Sequence, residues 1–317
     1  MTTTNPPLVV LPEPVLSGRK LKAQMRAADA KTKLTSPWAS GLAILIAVAW
    51  TVPTIGLLVN SVRGPITVNG NPAAASITSG WWHFFAGNGF TFSNYTHAWT
   101  GNGNTSPLSS YLLNSIVVTL PAVVIPIALA LLAAYAFAWI DFKGKNFLFV
   151  AIFALQIVPI QVALIPLNTI YIKFGLNESF WSIWLSHTIF GLPLAIFLLH
   201  NFMKEIPPSL VEAARVDGAG HVKIFLQVLM PLLVPAIASF GIFQFLWVWN
   251  DLLVALTFSG DNTRPITAGI QNLTTQFQSA ADVIPAAAII AMLVPLAVFL
   301  SLQRFFVRGL LAGSVKG

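Results

Sequence analysis

The sequence predicts an all-α integral membrane protein with six transmembrane helices and both termini in the cytoplasm, on three observations. Apolar residues make up 56% of the 317 positions and charged residues only 9%, with a mean hydropathy of +0.77. A water-facing surface needs roughly 25% charged residues, so most of this surface must face lipid. Between Arg63 and Asp141 there is no Asp, Glu, Lys or Arg. The 17 Lys and Arg residues divide 14 to 3 between the two sides of the apolar stretches, which is the positive-inside asymmetry of a multi-pass protein.

A crossing needs ~20 largely apolar residues. Six stretches qualify: 38–60, 112–139, 147–172, 180–203, 235–257 and 283–303. With the N-terminus inside, Arg19, Lys20, Lys22, Arg26, Lys31 and Lys33 are cytoplasmic. So are Lys143 and Lys145 after the second span, Lys204, Arg215 and Lys223 after the fourth, and Arg304, Arg308 and Lys316 at the end. Arg63, Lys173 and Arg264 are left outside. The net charge of +7 is then a topology signal, and no nucleic acid is expected as a partner. The absence of cysteine excludes disulfides and thiolate chemistry. His187 and His200 have no Glu or Cys at ligand spacing, so no metal site is expected.

Residues 1–35 form a basic cytoplasmic tail. They lack the simple charged region and small-residue cleavage pattern of a signal peptide, so the first span is expected to remain as an anchor. Two readings of residues 17–34 stay open: a basic helix on the inner leaflet, or a solvated tail. The outer segment 63–111 is rich in Gly, Asn, Ser and Thr. Its cluster Trp81-Trp82-His83-Phe84-Phe85 reads as an interfacial aromatic belt or as a docking surface for an external partner.

The cytoplasmic loop 204–223 is unlike the others. Pro207-Pro208 ends the preceding helix, because proline donates no hydrogen bond and restricts its neighbour. Ser209 followed by Glu212 has the spacing of a capping box, so a new helix is expected to start there. Gly218 falls where a left-handed C-terminal cap is expected. A second helix should run from about His221, with interruptions at Pro231 and Pro235. The small residues Ala213, Ala214, Ala219 and Gly220 keep the surface low, so another protein's backbone can approach.

Glu212-Ala213-Ala214, three residues, Gly218, nine residues, then Val228-Leu229-Met230-Pro231 resembles the EAA loop of binding-protein-dependent ABC importer permeases. The family ending is Ile-x-Leu-Pro, and Val228 and Met230 are apolar replacements. Phe245-Leu-Trp-Val-Trp249-Asn250-Asp251 and the ending Gln303 to Gly317 resemble the maltose-type carbohydrate branch, and the outer segment and ending look most like its α-glucoside permeases. The resemblance covers about 108–317 and implies an ABC importer type I permease fold in a bacterial-type cell membrane. Residues 36–107 would be the first helix plus the extracytoplasmic segment, 108–303 the core permease domain, and 304–317 a cytoplasmic tail. Glu212, Ala213, Ala214, Asp217 and Gly218 would couple to a separate ATPase, with Gly313, Ser314 and Lys316 reaching it from the tail. The implied partners are an ATPase subunit dimer, a second homologous permease and an extracytoplasmic sugar-binding protein, besides membrane lipid. The chain has no Gly-x-x-x-x-Gly-Lys-Ser/Thr to cradle a phosphate. It is therefore expected to bind no cofactor and to be no enzyme, with ATP and Mg on the partner ATPase.

Polar side chains at membrane depth are costly and should face a neighbouring helix or a wet path. Gln156, Gln161 and Asn168 lie in the third span, and Gln244, Trp247, Asn250 and Asp251 in or beside the fifth. Sugars offer hydroxyl edges and apolar C–H faces, so this mixture suits a sugar path. Helix–helix hydrogen bonding is the simpler reading of the Gln and Asn residues. Asp251 is expected near the outer end of its span, in a vestibule or paired. The competing function is a self-contained secondary transporter or channel for a small polar solute. That reading needs a coupling charge at the midplane, where Asp251 is the one candidate. Nothing at membrane depth supplies a nucleophile elbow or paired carboxylates for an intramembrane enzyme.

Overall fold

The computed structural model describes residues 37–69, 71–73, 80–83, 89–101, 107–275 and 281–312. The basic tail 1–35, Phe84, Phe85, Gly313, Ser314 and Lys316 lie outside these. The chain divides into two units, residues 1–56 and 57–317. Helix α1 (Pro37–Val62) begins in the first. There its apolar side chains, Trp38, Leu45 and Trp50 among them, are exposed, and they lie on all faces, as suits a lipid-facing helix.

In the second unit, the outer segment holds a two-stranded antiparallel ribbon, β1 (Ile66–Val68) and β2 (Asn71–Ala73), in the register Thr67 to Pro72. It also holds a short helix, α2 (Ser93–Thr100). Asn94 donates to the carbonyls of Ser61 and Arg63, and Tyr95 Oη lies 2.7 Å from Ser61 Oγ, which ties α2 to the end of α1. Then come α3 (Leu108–Trp139), α4 (Lys145–Ala154), α5 (Ile160–Lys173), α6 (Phe180–Glu205) and α7 (Pro208–Val216). After them come α8 (His221–Asn250), α9 (Leu253–Phe258), α10 (Ile266–Thr275) and α11 (Val283–Ala312).

Five helices (α1, α3, α6, α8 and the stretch of α11 to Gln303) are long and apolar enough to cross a membrane among the described residues. The α4–α5 pair makes a sixth crossing if taken as one span, bent by 101°. The uninterrupted third span expected over 147–172 is therefore broken. Pro159 forces Val158 out of the helical region, to φ −70°, ψ 119°, so α5 has to restart at Ile160. The fifth span is also shifted from the expected 235–257. It runs from His221 to Asn250 and stops where Asp251 becomes extended.

Pro231 and Pro235 do not interrupt α8, contrary to the sequence expectation. Its residues Ile224–Leu229 are wound as a π-helix, in which the Met230 N–H reaches back five residues to the Phe225 carbonyl. The wider winding steps the carbonyl ladder along just before Pro231 removes a donor.

Three other interior prolines show how this bundle absorbs the defect. Proline removes the N–H that the carbonyl four residues earlier would accept. Pro121 frees Val117, and the Trp184 indole of α6 donates to that carbonyl at 3.0 Å. Pro126 frees Ala122, and Gln244 of α8 donates to it at 3.2 Å. Pro295 frees Ala291, and the Trp249 indole of α8 donates to it at 3.2 Å. Each defect in one helix thereby becomes a bond to another, which is how prolines are tolerated at membrane depth.

Candidate functional site

Two regions stand out, one at the inner end of the bundle and one at the break in the third span. The inner region is α7 with its flanking turns. Pro208 sits at the first helical position and Pro207 is the N-cap, so the helix starts one residue before Ser209. The expected capping box is therefore not formed: Ser209 already lies inside the helix and no side chain caps it. The other end follows the sequence. Gly218 has φ +75°, Ala219 N–H bonds the Ala214 carbonyl at 2.9 Å, and Gly218 N–H bonds Arg215 at 3.0 Å. These two bonds are a Schellman cap, and its left-handed residue is the glycine.

Val211, at 2% exposure, is the buried residue of α7. It joins a continuous apolar cluster containing Leu199, Met203 and Ile206 of the α6 end, Ala130 and Ala134 of α3, and Ile224, Leu229 and Leu233 of α8. Ala214 and Ala219 pack against the same cluster. Glu212, Ala213, Asp217 and Gly218 face outward. Val216 is 88% and Val222 72% exposed. Below α7, Tyr135 Oη of α3 lies 2.7 Å from His221 Nδ1, and the Tyr135 ring meets Phe225 edge-on. The element is thus an outward-facing helix rooted by its inner face in three spans. Tyr135 and His221 were not foreseen as part of it. A tyrosine inside an apolar helix is an ordinary core residue in sequence, and the turn that brings His221 back is tertiary.

At the second region, the break between α4 and α5 opens a cavity of about 550 Å³. Gln156 and Gln161 flank the break, and Gln244 and Trp247 line the wall supplied by α8. Gly191 and Phe190 of α6 complete it, and the lining contains no charged side chain. Four of the seven polar-path candidates therefore converge. Asn168, Asn250 and Asp251 are not among the lining residues. Asn250 Nδ2 donates to the Leu246 carbonyl of its own helix. Gly191 was missed as a candidate, because a glycine in an apolar helix carries no polar signal.

Asp251 ends α8. Its Oδ2 accepts from the N–H groups of Val254 and Ala255, which starts α9. The same oxygen lies 3.6 Å from Nε2 of His187, a ring 1% exposed in α6. His187 Nδ1 lies 3.0 Å from the Ile183 carbonyl, and Trp247 meets the imidazole edge-on. Thr267 donates to the Asp251 carbonyl at 2.8 Å. Asp251 thus caps α9 with its carboxylate, beside the His187 ring, at the joint where α8 meets the outer helices α9 and α10. Around it, Asn114 donates to the carbonyls of Asn262 and Arg264, Ser115 accepts from Ile266 N–H, and Ser182 donates to Phe258. No group of three or more His, Cys, Asp or Glu that could hold a metal occurs among the described residues.

The family described as "Binding-protein-dependent transport system inner membrane component" matches residues 126–311. The chain is similar to the osmoprotective compounds uptake permease protein GgtD of Synechocystis sp., 45% identical over 282 residues, which cover 87% of this chain and 91% of that one. It is also similar to the alpha-glucoside transport system permease protein AglG of Rhizobium meliloti, 46% identical over 235 residues, 72% of this chain and 61% of that one. Among solved structures, a chain of a bacterial ABC transporter involved in the import of the acidic polysaccharide alginate aligns with a TM-score of 0.69. That alignment covers 92% of this chain and 99% of the other at 19% identity, a likeness of fold.

Proposed function

The chain belongs to the family of binding-protein-dependent transport system inner membrane components, and on that premise we propose that it is one permease half of an ATP-driven importer of neutral di- or oligosaccharides. As a family member it is a multi-pass inner membrane protein and a transport subunit, with no enzyme activity of its own. The observation that carries the reading is α7. A helix that roots Val211 among three spans and turns Glu212, Ala213 and Val216 outward, with Asp217 at its cap and Val222 of α8 exposed beside it, suits an element pushed by another protein. Exposed valines beside charged residues on a cytoplasmic surface suit a partner cleft.

That geometry supports coupling to a separate ATPase. ATP binding would close an ATPase pair around α7 and its counterpart on a second permease. The apolar cluster around Val211 would then carry the displacement into α3, α6 and α8 as one body, because close-packed interiors transmit strain. Gly313, Ser314 and Lys316 would add contacts from the tail. An external binding protein would deliver the cargo, and the cavity at the α4–α5 break would line part of the path. AglG is named for alpha-glucosides and a further relative, SugB of Mycobacterium tuberculosis, for trehalose. An α-glucoside is accordingly the proposed cargo, in keeping with a cavity that holds amides and an indole without charge.

The test is uptake by the assembled transporter carrying Gly218→Leu or Glu212→Lys. Both variants should insert and assemble but fail to import. Wild-type uptake in both would remove the coupling role from α7.

A further inference from the structure

Gln244 is held in one orientation. Its side-chain nitrogen donates to the Ala122 carbonyl, and a carbonyl only accepts, so the NH₂ end must be the one turned there. The amide lies flat against Gly191: a Cβ at that position would stand 2.8 Å from Nε2 and 2.9 Å from Oε1. Three helices, α3, α6 and α8, therefore fix one amide, and the glycine is what lets it fit. Oε1 has no hydrogen-bond partner among the described residues, and the side chain lines the cavity beside Trp247. Gln244 as a whole is 1% exposed, its cavity face included.

We propose that Gln244 is a specificity-determining residue whose fixed Oε1 accepts a hydrogen bond from a hydroxyl of an uncharged sugar in this cavity, with the Trp247 indole alongside the sugar's C–H face. This rests on the importer reading above. A carbonyl oxygen held without a partner in a low-dielectric wall rewards a donor and penalises an anion. The lining has no Lys, Arg or His to offset a carboxylate, so a uronate is rejected. The orientation comes from Pro126: it frees the Ala122 carbonyl, the carbonyl takes the amide nitrogen, and the oxygen is left for cargo.

The experiment uses the whole transporter in proteoliposomes, with the same binding protein throughout. Radiolabelled trehalose, sucrose, maltose and raffinose are compared with galacturonate and proline, and the probe carried fastest is followed. Gln244→Met, similar in volume but without the amide, should lower sugar transported per ATP hydrolysed at least tenfold. A structural role alone would give the same loss, so the deciding variant is Pro126→Ala/Gln244→Met. There the restored N–H of residue 126 takes up the Ala122 carbonyl, which removes the structural defect. Transport that stays at least tenfold down in the double variant, with melting temperature restored, supports the cargo contact. Transport restored along with stability overturns it. A wild-type transporter that prefers galacturonate or proline over every sugar overturns the importer's cargo assignment, whatever Gln244 does.

Discussion

The Trp249 indole N–H donates to the carbonyl of Ala291, the carbonyl that Pro295 leaves without its helical donor. The bond joins α8 to α11 and makes the proline and the tryptophan one unit. Trp249→Phe keeps the ring and its stacking on Phe245 but strands the carbonyl, at a cost of about 1–2 kcal/mol. In a Pro295→Ala background the residue 295 N–H can serve Ala291, so the same substitution should cost less than half as much. Melting temperatures of the four proteins in detergent close this double-mutant cycle. Equal losses in both backgrounds would mean that the bond does not answer the proline.

Gly218 should be intolerant of substitution for a conformational reason. Nothing lies within 4 Å of a Cβ built there, yet φ is +75°, so the penalty is backbone strain of about 1 kcal/mol. Gly218→Asn, which tolerates this region, should retain more transport than Gly218→Ala, and Gly218→Leu least. Uptake in membrane vesicles normalised to inserted protein measures the order. An order following side-chain volume, with Ala above Asn, would point to a crowded partner cleft instead.

Val211→Ala deletes the apolar root of α7 and leaves a void in a filled cluster, at about 1–2 kcal/mol. The outward face is unchanged, so ATPase association should survive while the push into the spans weakens. The prediction is ATP hydrolysis at half the wild-type rate or better, with transport reduced several-fold. Parallel loss of both would place Val211 in folding alone.

Asp251→Ala removes the acceptor that starts α9, worth about 1 kcal/mol, whereas Asp251→Asn keeps an oxygen for the Val254 and Ala255 amides. The alanine variant should melt lower than the asparagine variant. Identical melting would mean that the carboxylate's place beside His187 Nε2 outweighs its capping role.

The absence of native cysteine makes single engineered cysteines clean reporters of sidedness. A membrane-impermeant maleimide should label Asp217→Cys only from the cytoplasmic side and Asp261→Cys only from outside. The reverse pattern would invert the topology drawn from the Lys and Arg distribution.

The multi-span helical character and the turn at Gly218 were legible because each rests on local signals. Apolar length and charge placement marked six crossings, and Gly218 announced its own left-handed turn. What sequence could not supply was tertiary. The pre-proline effect at Val158 could have been read as a break, but the 101° bend depends on what packs around it. Ser209 lost the cap because Pro208, with its φ already suited to a first helical turn, started the helix sooner. Gln244 looked like Gln156 and Gln161 in sequence. Only the fold shows that its nitrogen serves Ala122 while theirs line an open break. Asn168 and Asn250 shared the polar signal but not the place.

The most direct measurement is sugar uptake by proteoliposomes containing this chain, its second permease and the ATPase, with the binding protein outside and ATP sealed inside. Uptake that needs internal ATP hydrolysis, persists after the proton gradient is collapsed, and disappears with Gly218→Leu is the predicted result. Uptake by this chain alone, driven by the proton gradient and indifferent to ATP, would contradict the account and establish a self-contained transporter.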